Sequence, residues 1–214
     1  MSSNRQVGMS LSPQLLLSAY CQGIFPMADE DGELYWYDPD PRAILPLDGF
    51  HISQSLGRTI RQGRFQTTTD NDFVAVIRAC AQPGPGRETT WISEDIIDSY
   101  TMLHRLGYAH SVETWLEGEL AGGLYGVAVN GLFAGESMFS LRRDASKVAL
   151  VFLVAYLKKQ GFLLLDVQFM TDHLRQFGAI EVPRSVYQRQ LARAIAVPTQ
   201  FQRSDPGAHK TKLT

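Results

Sequence analysis

The spacing of apolar residues along the chain changes near residue 109, and this change organises the predicted fold. Up to that point, apolar side chains mostly recur every third or fourth position in short stretches, which is typical of amphipathic helices. Beyond it, apolar residues alternate with polar or small ones, and strands are predicted at His110–Leu116, Leu120–Val129 and Leu132–Ser140. The turn pairs Glu117-Gly118 and Asn130-Gly131 separate them, so the sequence predicts a three-stranded antiparallel meander.

Helices and further strands are predicted on either side of the meander. The helices are predicted at Pro13–Gln22, Ser53–Gly63, Asp72–Ala81, Ser93–Leu106, Ala145–Gln160, Asp172–Phe177 and Arg184–Ala194. The strands are predicted at Glu33–Tyr37, Ala43–Leu47, Phe65–Thr69, Phe162–Gln168 and Ala179–Val182, and residues 23–32 are predicted as a loop. Asp70 or Asn71 is expected to cap the third helix, and Asp144 the fifth. We therefore expect an α/β fold with a mixed sheet and helices on both of its faces.

The turn-rich first 48 residues are too few to bury much apolar surface by themselves. We expect a small N-terminal lobe at residues 1–48, packed on a larger domain at residues 49–197. Residues 198–214 are mostly polar and contain prolines, so a frayed tail is predicted there.

Composition places the chain among ordinary globular proteins. Of its 214 residues 44% are hydrophobic and 20% are charged, which allows a sizeable core. The formal net charge of −2 gives no overall attraction to nucleic acid, so any such contact must come from a local patch. Arg58, Arg61 and Arg64 follow one another at intervals of three on one predicted helix face, and arginine suits phosphate. The alternative is an ordinary solvated helix face.

Several kinds of site have no counterpart in the sequence. Cys21 and Cys80 fit neither a metal-binding spacing nor a disulfide framework, and no Gly-rich nucleotide loop occurs. Ser137 lacks the Gly-x-Ser-x-Gly surroundings of a hydrolase nucleophile. We therefore expect no metal and no cofactor. The first residues contain no long apolar stretch and the run Val148–Leu157 is too short to cross a bilayer, so a soluble cytoplasmic protein is expected.

Glu136 is a lone carboxylate in an otherwise apolar predicted strand. Because an unpaired buried carboxylate is strongly unfavourable, Glu136 either faces water at a sheet edge or lies in a functional cleft. The adjacent Gly135 suggests a β-bulge, which would exchange the two faces of the strand and bring Phe133 and Met138 to the same side. Regular antiparallel pairing through Gly135 and Glu136 would contradict this prediction.

Asp166 and Gln168 are two residues apart on a predicted strand, so their side chains are expected on the same face. They follow the apolar run Phe162–Leu165, which predicts a strand buried on both sides. Polar groups at the carboxyl end of such a strand lie where open sheets usually bind ligands. The alternative is that Asp166 caps the next helix or accepts backbone N–H groups.

Aromatic and sulfur-containing side chains are frequent around these elements, and most are expected to be core. They include Tyr20, Phe25, Met27, Tyr37, Tyr100, Phe133 and Met138. Trp36 and Trp91 each border a polar loop, so either could stack on a nucleic-acid base.

Six segments occur in a recognisable order between Leu11 and Ala196: GIFPM, WYDPDPRAIL, HSVETW, GGLYGVAVNGLFAGESMFS, DASKVAL and LLDVQF. Together they resemble the leucyl/phenylalanyl-tRNA–protein transferases of bacteria, and GESMFS with DASK is highly specific. The resemblance implies an enzyme that moves Leu or Phe, less often Met, from aminoacyl-tRNA to the α-amino group of proteins beginning with Arg or Lys. Its product carries a destabilising residue for the N-degron pathway. The larger domain is implied to be similar to GCN5-related acyltransferases.

The resemblance also implies roles for individual residues. Asp166 and Gln168 match a pair proposed to assist deprotonation of the attacking amine, and Glu136 matches a carboxylate of the active-site cleft. Trp91 and Tyr100 match aromatic residues near the 3′-terminal adenosine of the tRNA. The residues matching the apolar pocket for the transferred side chain are Phe133, Met138, Leu124, Leu150, Leu153 and Leu165. Tyr20 and Met27 are expected beside the substrate. Given such a substrate, the arginine stripe described above, Arg58, Arg61 and Arg64, is expected to contact the tRNA backbone.

The chain departs from the family pattern in two places. The family commonly has tryptophan where Met27 stands, so stacking on adenine there is expected to be weaker or supplied by a neighbour. Longer members carry a further segment before the Leu-Ser-Pro motif, so a trimmed N-terminal lobe is expected.

Two alternative functions fit the same fold class. One is a coenzyme A-dependent N-acetyltransferase, although the turn Leu141–Lys147 lacks the glycines that cradle a pyrophosphate. The other is a non-catalytic tRNA-binding module. The absence of an obvious exposed apolar helix face favours a monomer.

Overall fold

The computed structural model describes residues 11–29, 33–83 and 90–203, and a seven-stranded sheet is its central feature. The helices are α1 (Pro13–Gln22), α2 (Gln54–Arg61), α3 (Phe73–Cys80), α4 (Glu94–Arg105), α5 (Ala145–Gln160), α6 (Asp172–Arg175) and α7 (Arg184–Ile195). The strands are β1 (Phe25–Ala28), β2 (Leu34–Tyr37), β3 (Arg42–Ile44), β4 (Phe65–Thr69), β5 (Ala109–Leu116), β6 (Glu119–Val129), β7 (Leu132–Ser140), β8 (Leu164–Gln168) and β9 (Ile180–Val182). No helix among the described residues is long and apolar enough to cross a membrane.

The strands of the large sheet lie in the order β4-β5-β6-β7-β8-β3-β9. Neighbouring strands are antiparallel except β7 and β8, which are parallel and are joined through α5. This confirms the predicted meander and mixed sheet. β8 pairs only with Leu132–Ala134 of β7, although β7 continues to Ser140. The two strands therefore part towards their carboxyl ends, where ligand sites commonly lie in such sheets.

The segment predicted as an N-terminal lobe contributes to both sheets. β1 and β2 form a separate two-stranded antiparallel sheet, whereas β3 lies between β8 and β9 in the large sheet. The domain boundary at residue 48 stays a prediction.

Apolar side chains pack in two large clusters, one on each face of the large sheet. Leu124 and Tyr125 are neighbours on β6 and belong to different clusters, as the alternation of side chains along a strand requires. α5 supplies much of the first cluster because apolar residues surround it on nearly all sides. α1, α3 and α4 supply the second cluster, which includes Tyr20 and Tyr100.

The predicted β-bulge lies at Glu136. Tyr125 pairs with Ser137 and Gly126 pairs with Gly135, so Glu136 has no partner residue on β6. Phe133 before the bulge and Met138 after it both pack in the α5 cluster, as predicted. A side chain on Gly126 would overlap the carbonyl oxygen of Ala134, so only glycine fits opposite the bulge.

The predictions for residues 25–28 and for the cap of α3 are wrong. Residues 25–28, predicted as part of a loop, form β1 because they pair with β2 along its whole length. The cap of α3 is Asp72, whose carboxylate accepts the N–H of Ala75. Asp70 does not cap this helix. Its carboxylate accepts the N–H of Ser111 and lies 2.8 Å from Nδ1 of His110.

Asp144 occupies the N-cap position of α5 without capping it. Its backbone is left-handed, with φ 66°, and its side chain makes no capping hydrogen bond. The carboxylate instead lies 3.4 Å from Nζ of Lys147 and accepts a 3.3 Å hydrogen bond from Thr59.

The prediction of a frayed tail after Val197 is wrong for residues 198–203. Phe201 is buried and lies 4.3 Å from the ring of His110, and it also packs on Tyr156. The Tyr156 hydroxyl donates to the carbonyl of Gln202 and accepts its N–H. Residues 204–214 lie outside the described residues.

Candidate active site

A cavity of about 550 Å³ opens where β7 and β8 part, between α5 and the segment that follows β8. Its wall is mainly apolar. Five residues predicted for an apolar pocket line it: Leu124, Met138, Leu150, Leu153 and Leu165. Phe133 does not line it, because its ring points into the α5 cluster and is fully buried there. The cavity can receive a bulky apolar group.

Glu136 lines the cavity and is hydrogen-bonded through only one of its carboxylate oxygens. Oε1 accepts the hydroxyl of Tyr20 at 2.8 Å and the side-chain amide of Gln168 at 3.0 Å. No hydrogen bond to Oε2 is present among the described residues. Burial raises the pKa of Glu136 to about 8, with a further contribution from Asp166, although the two hydrogen bonds act in the opposite direction. The group can therefore exchange a proton near neutral pH.

Tyr20 and Tyr100 support Glu136 from inside the protein. Their hydroxyls are 2.5 Å apart, and Tyr20 in turn donates to Glu136. Burial, reinforced by Glu136, raises the pKa of both phenols well above its usual value, so both are neutral donors. The expectation that Tyr100 lies near an adenosine is not met, because it is fully buried and does not line the cavity.

Asp166 lies behind the cavity wall. Oδ1 accepts Nε of Arg42 at 2.9 Å, and Oδ2 accepts Nη2 of Arg42 at 2.6 Å and the Tyr187 hydroxyl at 2.8 Å. Both charged side chains are 1% exposed. Burial alone would lower the pKa of Arg42, but the hydrogen-bonded Asp166 carboxylate raises it overall, so the guanidinium stays charged. Asp166 does not line the cavity, contrary to its expected contact with the attacking amine.

Gln168 lines the cavity although Asp166 does not, so the two side chains do not share the cavity face as predicted. The reason is local: Gln168 has φ 63°, which ends the regular alternation of β8. Its N–H donates to Oδ1 of Asp166 at 3.0 Å while its side chain reaches Glu136. Sequence reasoning missed Arg42 and Tyr187. An arginine directly before the apolar run Ala43–Leu45 was the available signal for the first.

Aromatic and thioether side chains surround the cavity on the side of the small sheet. Met27, Trp91 and Phe169 line it, as expected for the first two. Tyr35 pairs with Met27 across the two strands and is 47% exposed, so an aromatic surface adjoins the methionine. Trp36, which could also stack on a base, is exposed but does not line the cavity.

The predicted arginine stripe is only partly present. α2 ends at Arg61, so Arg64 lies beyond the helix. Arg58 and Arg64 instead line a second depression of about 730 Å³, together with Arg142 and Arg143 from the turn between β7 and α5. Arg61 does not line it. The result is a basic groove, defined here by Arg58, Arg64, Arg142 and Arg143.

The described residues contain no group of three or more His, Cys, Asp or Glu side chains arranged to hold a metal ion. His173 lines the cavity as a single imidazole. Burial, and then the charge of Lys147, lower its pKa, so it is neutral near pH 7.

The fold and the cavity define an α/β protein with a mainly apolar cavity beside the carboxyl group of Glu136. Comparison with known families narrows this class. The family model described as leucyl/phenylalanyl-tRNA protein transferase matches residues 44–192, and the model of that family's N-terminal domain matches residues 9–40. The chain therefore belongs to the leucyl/phenylalanyl-tRNA protein transferase family, and it is an aminoacyltransferase.

Two relatives of that name are similar over nearly their whole length. A leucyl/phenylalanyl-tRNA–protein transferase of Herpetosiphon aurantiacus is 57% identical over 89% of this chain and 98% of its own. One of Paramagnetospirillum magneticum is 54% identical over 95% of this chain and 98% of its own. This membership favours aminoacyl transfer over coenzyme A-dependent acetyl transfer and over a non-catalytic tRNA-binding module.

Among solved structures, L-PGS from Bacillus licheniformis is 17% identical over 76% of this chain and 61% of its own, with a TM-score of 0.42. A likeness at that level bears on neither the fold family nor the function.

Proposed function

We propose that the protein transfers Leu or Phe, less often Met, from aminoacyl-tRNA to the α-amino group of proteins that begin with Arg or Lys. The observation that carries this proposal is the apolar cavity of about 550 Å³ that opens directly onto Glu136. The family membership supports the donor and the general acceptor class.

The cavity wall supports selection of large apolar side chains. Leucine residues of β6, α5 and β8 surround the space, and Met138 adds a flexible thioether. Such a wall discriminates by about 1–3 kcal/mol for each methylene, so Leu, Phe and Met would all be accepted while small residues would be disfavoured.

Glu136 is proposed to take the proton of the attacking amine. An aminoacyl ester is already activated, so the enzyme must bring the amine to it and remove a proton. The amine nitrogen bonds to the ester carbonyl carbon and the bond from that carbon to the ribose oxygen breaks. Glu136 then passes the proton taken from the amine to the ribose oxygen, which leaves as a hydroxyl group. Oε2 of Glu136, which accepts no hydrogen bond from the described residues, supports this role, as does the pKa of about 8, close to that of an α-amino group.

The acceptor's cationic first side chain is also proposed to be attracted by Glu136 in its ionised form, the same form that accepts the amine proton. Asp166 is the less suitable partner for it, because Arg42 already neutralises that carboxylate and both are buried behind the wall. Gln168 is proposed to hold Glu136 in place through its 3.0 Å hydrogen bond.

The basic groove is proposed to bind the phosphate backbone of the tRNA, since all four of its arginines are exposed.

Replacing Arg58, Arg64 and Arg142 together by glutamate should raise the dissociation constant for tRNA by at least about 30-fold near 0.1 M salt and flatten its salt dependence. Fluorescence anisotropy with labelled tRNA at several salt concentrations measures both. Replacing the exposed Arg189 and Arg193 of α7 is the matched control, and an equal loss in both variants would contradict the assignment.

Three further properties complete the proposal. The larger domain is proposed to be of the GCN5-related type, which the parallel pair β7–β8 and its separation after Ala134 support. A cytoplasmic location is proposed, which the free cysteines Cys21 and Cys80 support, and a monomer is proposed with it. Products would enter the N-degron pathway, since they carry a new N-terminal Leu or Phe.

The proposal is tested by following labelled leucine from leucyl-tRNA to three peptides that differ only in their first residue: Arg, Lys or Ala. Transfer to the first two at rates well above the third is expected. Equal transfer to all three peptides would contradict the proposed preference for N-terminal Arg or Lys. The absence of transfer to any peptide would contradict the proposed reaction itself.

A further inference from the structure

Gln168 adopts a backbone conformation that its own side chain does not favour. Its φ of 63° lies in the left-handed region, where residues other than glycine, asparagine and aspartate are uncommon. In this conformation its N–H donates to the carboxylate of Asp166 and its side-chain amide donates to that of Glu136. Strained residues of this kind persist only where the surrounding structure holds them in place.

The surrounding structure here is a buried cluster around Asp166. The carboxylate receives four hydrogen bonds: two from Arg42, one from the Tyr187 hydroxyl and one from the N–H of Gln168. These fill its acceptor positions, so Asp166 is an anchor for the Gln168 backbone and has no position left for the proton of a substrate.

Arg42 is itself fixed from several sides. Nη1 donates to the carbonyl of Gly23 at 2.8 Å, at the end of α1. Its guanidinium lies 4.7 Å from the ring centre of Phe25 and 4.5 Å from that of Tyr187. This planar group therefore links α1, β1 and α7 to the end of β8, with a geometry that an ammonium group could not reproduce.

We infer that Arg42 and Tyr187 are positioning residues for aminoacyl transfer: through Asp166 they fix the backbone of Gln168, and so hold its amide against Glu136. The inference rests on the proposed function. Neither residue lines the cavity, so each acts on the reaction only through its neighbours.

Arg42→Lys keeps the charge but loses the two-pronged contact with Asp166. We expect it to lower kcat for leucyl transfer to the Arg-starting peptide about 10-fold to 100-fold, because a small displacement of Gln168 misplaces Glu136. KM for leucyl-tRNA should stay within about twofold, since the basic groove does not involve this cluster. Tyr187→Phe removes one of the four hydrogen bonds and should lower kcat in the same direction by a smaller factor. Arg184→Lys, at a surface ion pair with Asp38, is the matched control and should leave kcat unchanged.

A double-variant cycle separates positioning from general damage. Gln168→Asn retains a residue that tolerates the left-handed conformation, but its shorter side chain withdraws the amide from Glu136. If Arg42 acts through Gln168, adding Arg42→Lys to Gln168→Asn should lower kcat by less than about twofold more. Losses that multiply in the double variant would overturn the inference.

The outcomes distinguish this inference from the proposed function. If the wild-type protein transfers no leucine to the peptide, the proposed function fails. If it does transfer leucine, and Arg42→Lys and Tyr187→Phe both keep the wild-type kcat, the inference alone fails. Thermal melting of each variant shows whether it folds. If Arg42→Lys does not fold, Tyr187→Phe takes its place in the double-variant cycle, and the same outcomes test the inference.

Discussion

Glu136→Gln is expected to lower kcat for aminoacyl transfer about 100-fold to 10,000-fold, the range over which a positioned proton acceptor contributes. Glutamine has nearly the same shape and can still accept the hydrogen bonds from Tyr20 and Gln168 through its amide oxygen, but it cannot accept the amine proton. Binding of aminoacyl-tRNA should stay within about twofold, because Glu136 is not part of the basic groove. Single-turnover transfer of labelled leucine measures the rate, and filter binding measures the affinity.

Glu119→Gln is the matched control, since Glu119 is an exposed carboxylate on β6 that does not line the cavity. It should transfer leucine at the wild-type rate. If Glu136→Gln also does so, the proton leaves by another route and the proposed role of Glu136 is wrong.

The stability of the same variant gives an independent readout. The pKa of Glu136 is raised from 4.5 to about 8, so its contribution to stability is fully present below pH 4.5 and is lost as the pH rises through about 8. Glu136→Gln does not ionise, whereas the wild type loses stability between pH 6 and pH 9. The free energy of unfolding of Glu136→Gln minus that of the wild type should therefore be about 2–3 kcal/mol larger at pH 9 than at pH 6. Urea unfolding at the two pH values measures this. If the variant and the wild type differ in free energy of unfolding by the same amount at both pH values, burial does not raise the pKa of Glu136 in the native protein.

The second large effect concerns the stability of the protein. Arg42→Met should reduce the free energy of unfolding by about 3–5 kcal/mol, because it leaves the carboxylate of Asp166 buried without a cationic partner. Methionine fills much of the space between Phe25 and Tyr187, so the loss reports the charge more than a cavity. Urea unfolding at pH 7 is the measurement.

The double variant Arg42→Met/Asp166→Leu supplies the control for that experiment. Removing both charges should restore part of the lost stability, because no uncompensated charge remains in the interior. A double variant less stable than Arg42→Met alone would show that the hydrogen bonds of Asp166 to Gln168 and Tyr187 matter more than its charge.

The parts of the site that depend on neighbouring residues could be predicted from the sequence. The pair Gly135-Glu136 predicts the β-bulge, and the bulge sets which side chains of β7 face α5. The turn Asn130-Gly131 predicts the hairpin formed by β6 and β7. Both signals are local, so no knowledge of the rest of the fold is needed to interpret them.

The partners of the carboxylates could not be predicted in this way. Arg42 and Asp166 are 124 residues apart, and no spacing rule connects them. The basic groove likewise forms because the turn after β7 approaches α2, which brings Arg142 and Arg143 beside Arg58. Contacts of this kind depend on the order of strands in the sheet.

The sequence also does not show which aromatic and sulfur-containing side chains are buried in the core and which line the cavity. Phe133 and Tyr100 are of the types that line apolar pockets, and both are fully buried in the core. Met138 lies on the same strand as Phe133, and it does line the cavity. The sequence gives the same signal for an aromatic or sulfur-containing side chain in a core as in a pocket, so only the packing of α5 and the parting of β7 from β8 separate the two.

The measurement that tests the central claim most directly is the single-turnover rate of leucyl transfer to the Arg-starting peptide by the wild type and by Met138→Trp. Met138 is partly buried at the cavity, so a larger side chain there would occupy the space proposed for the transferred residue. We predict at least about a tenfold lower rate with tRNA binding retained, while Leu141→Trp, at an exposed position just after β7, transfers at the wild-type rate. Equal rates for all three proteins would contradict the account, because the leucyl side chain would then lie elsewhere.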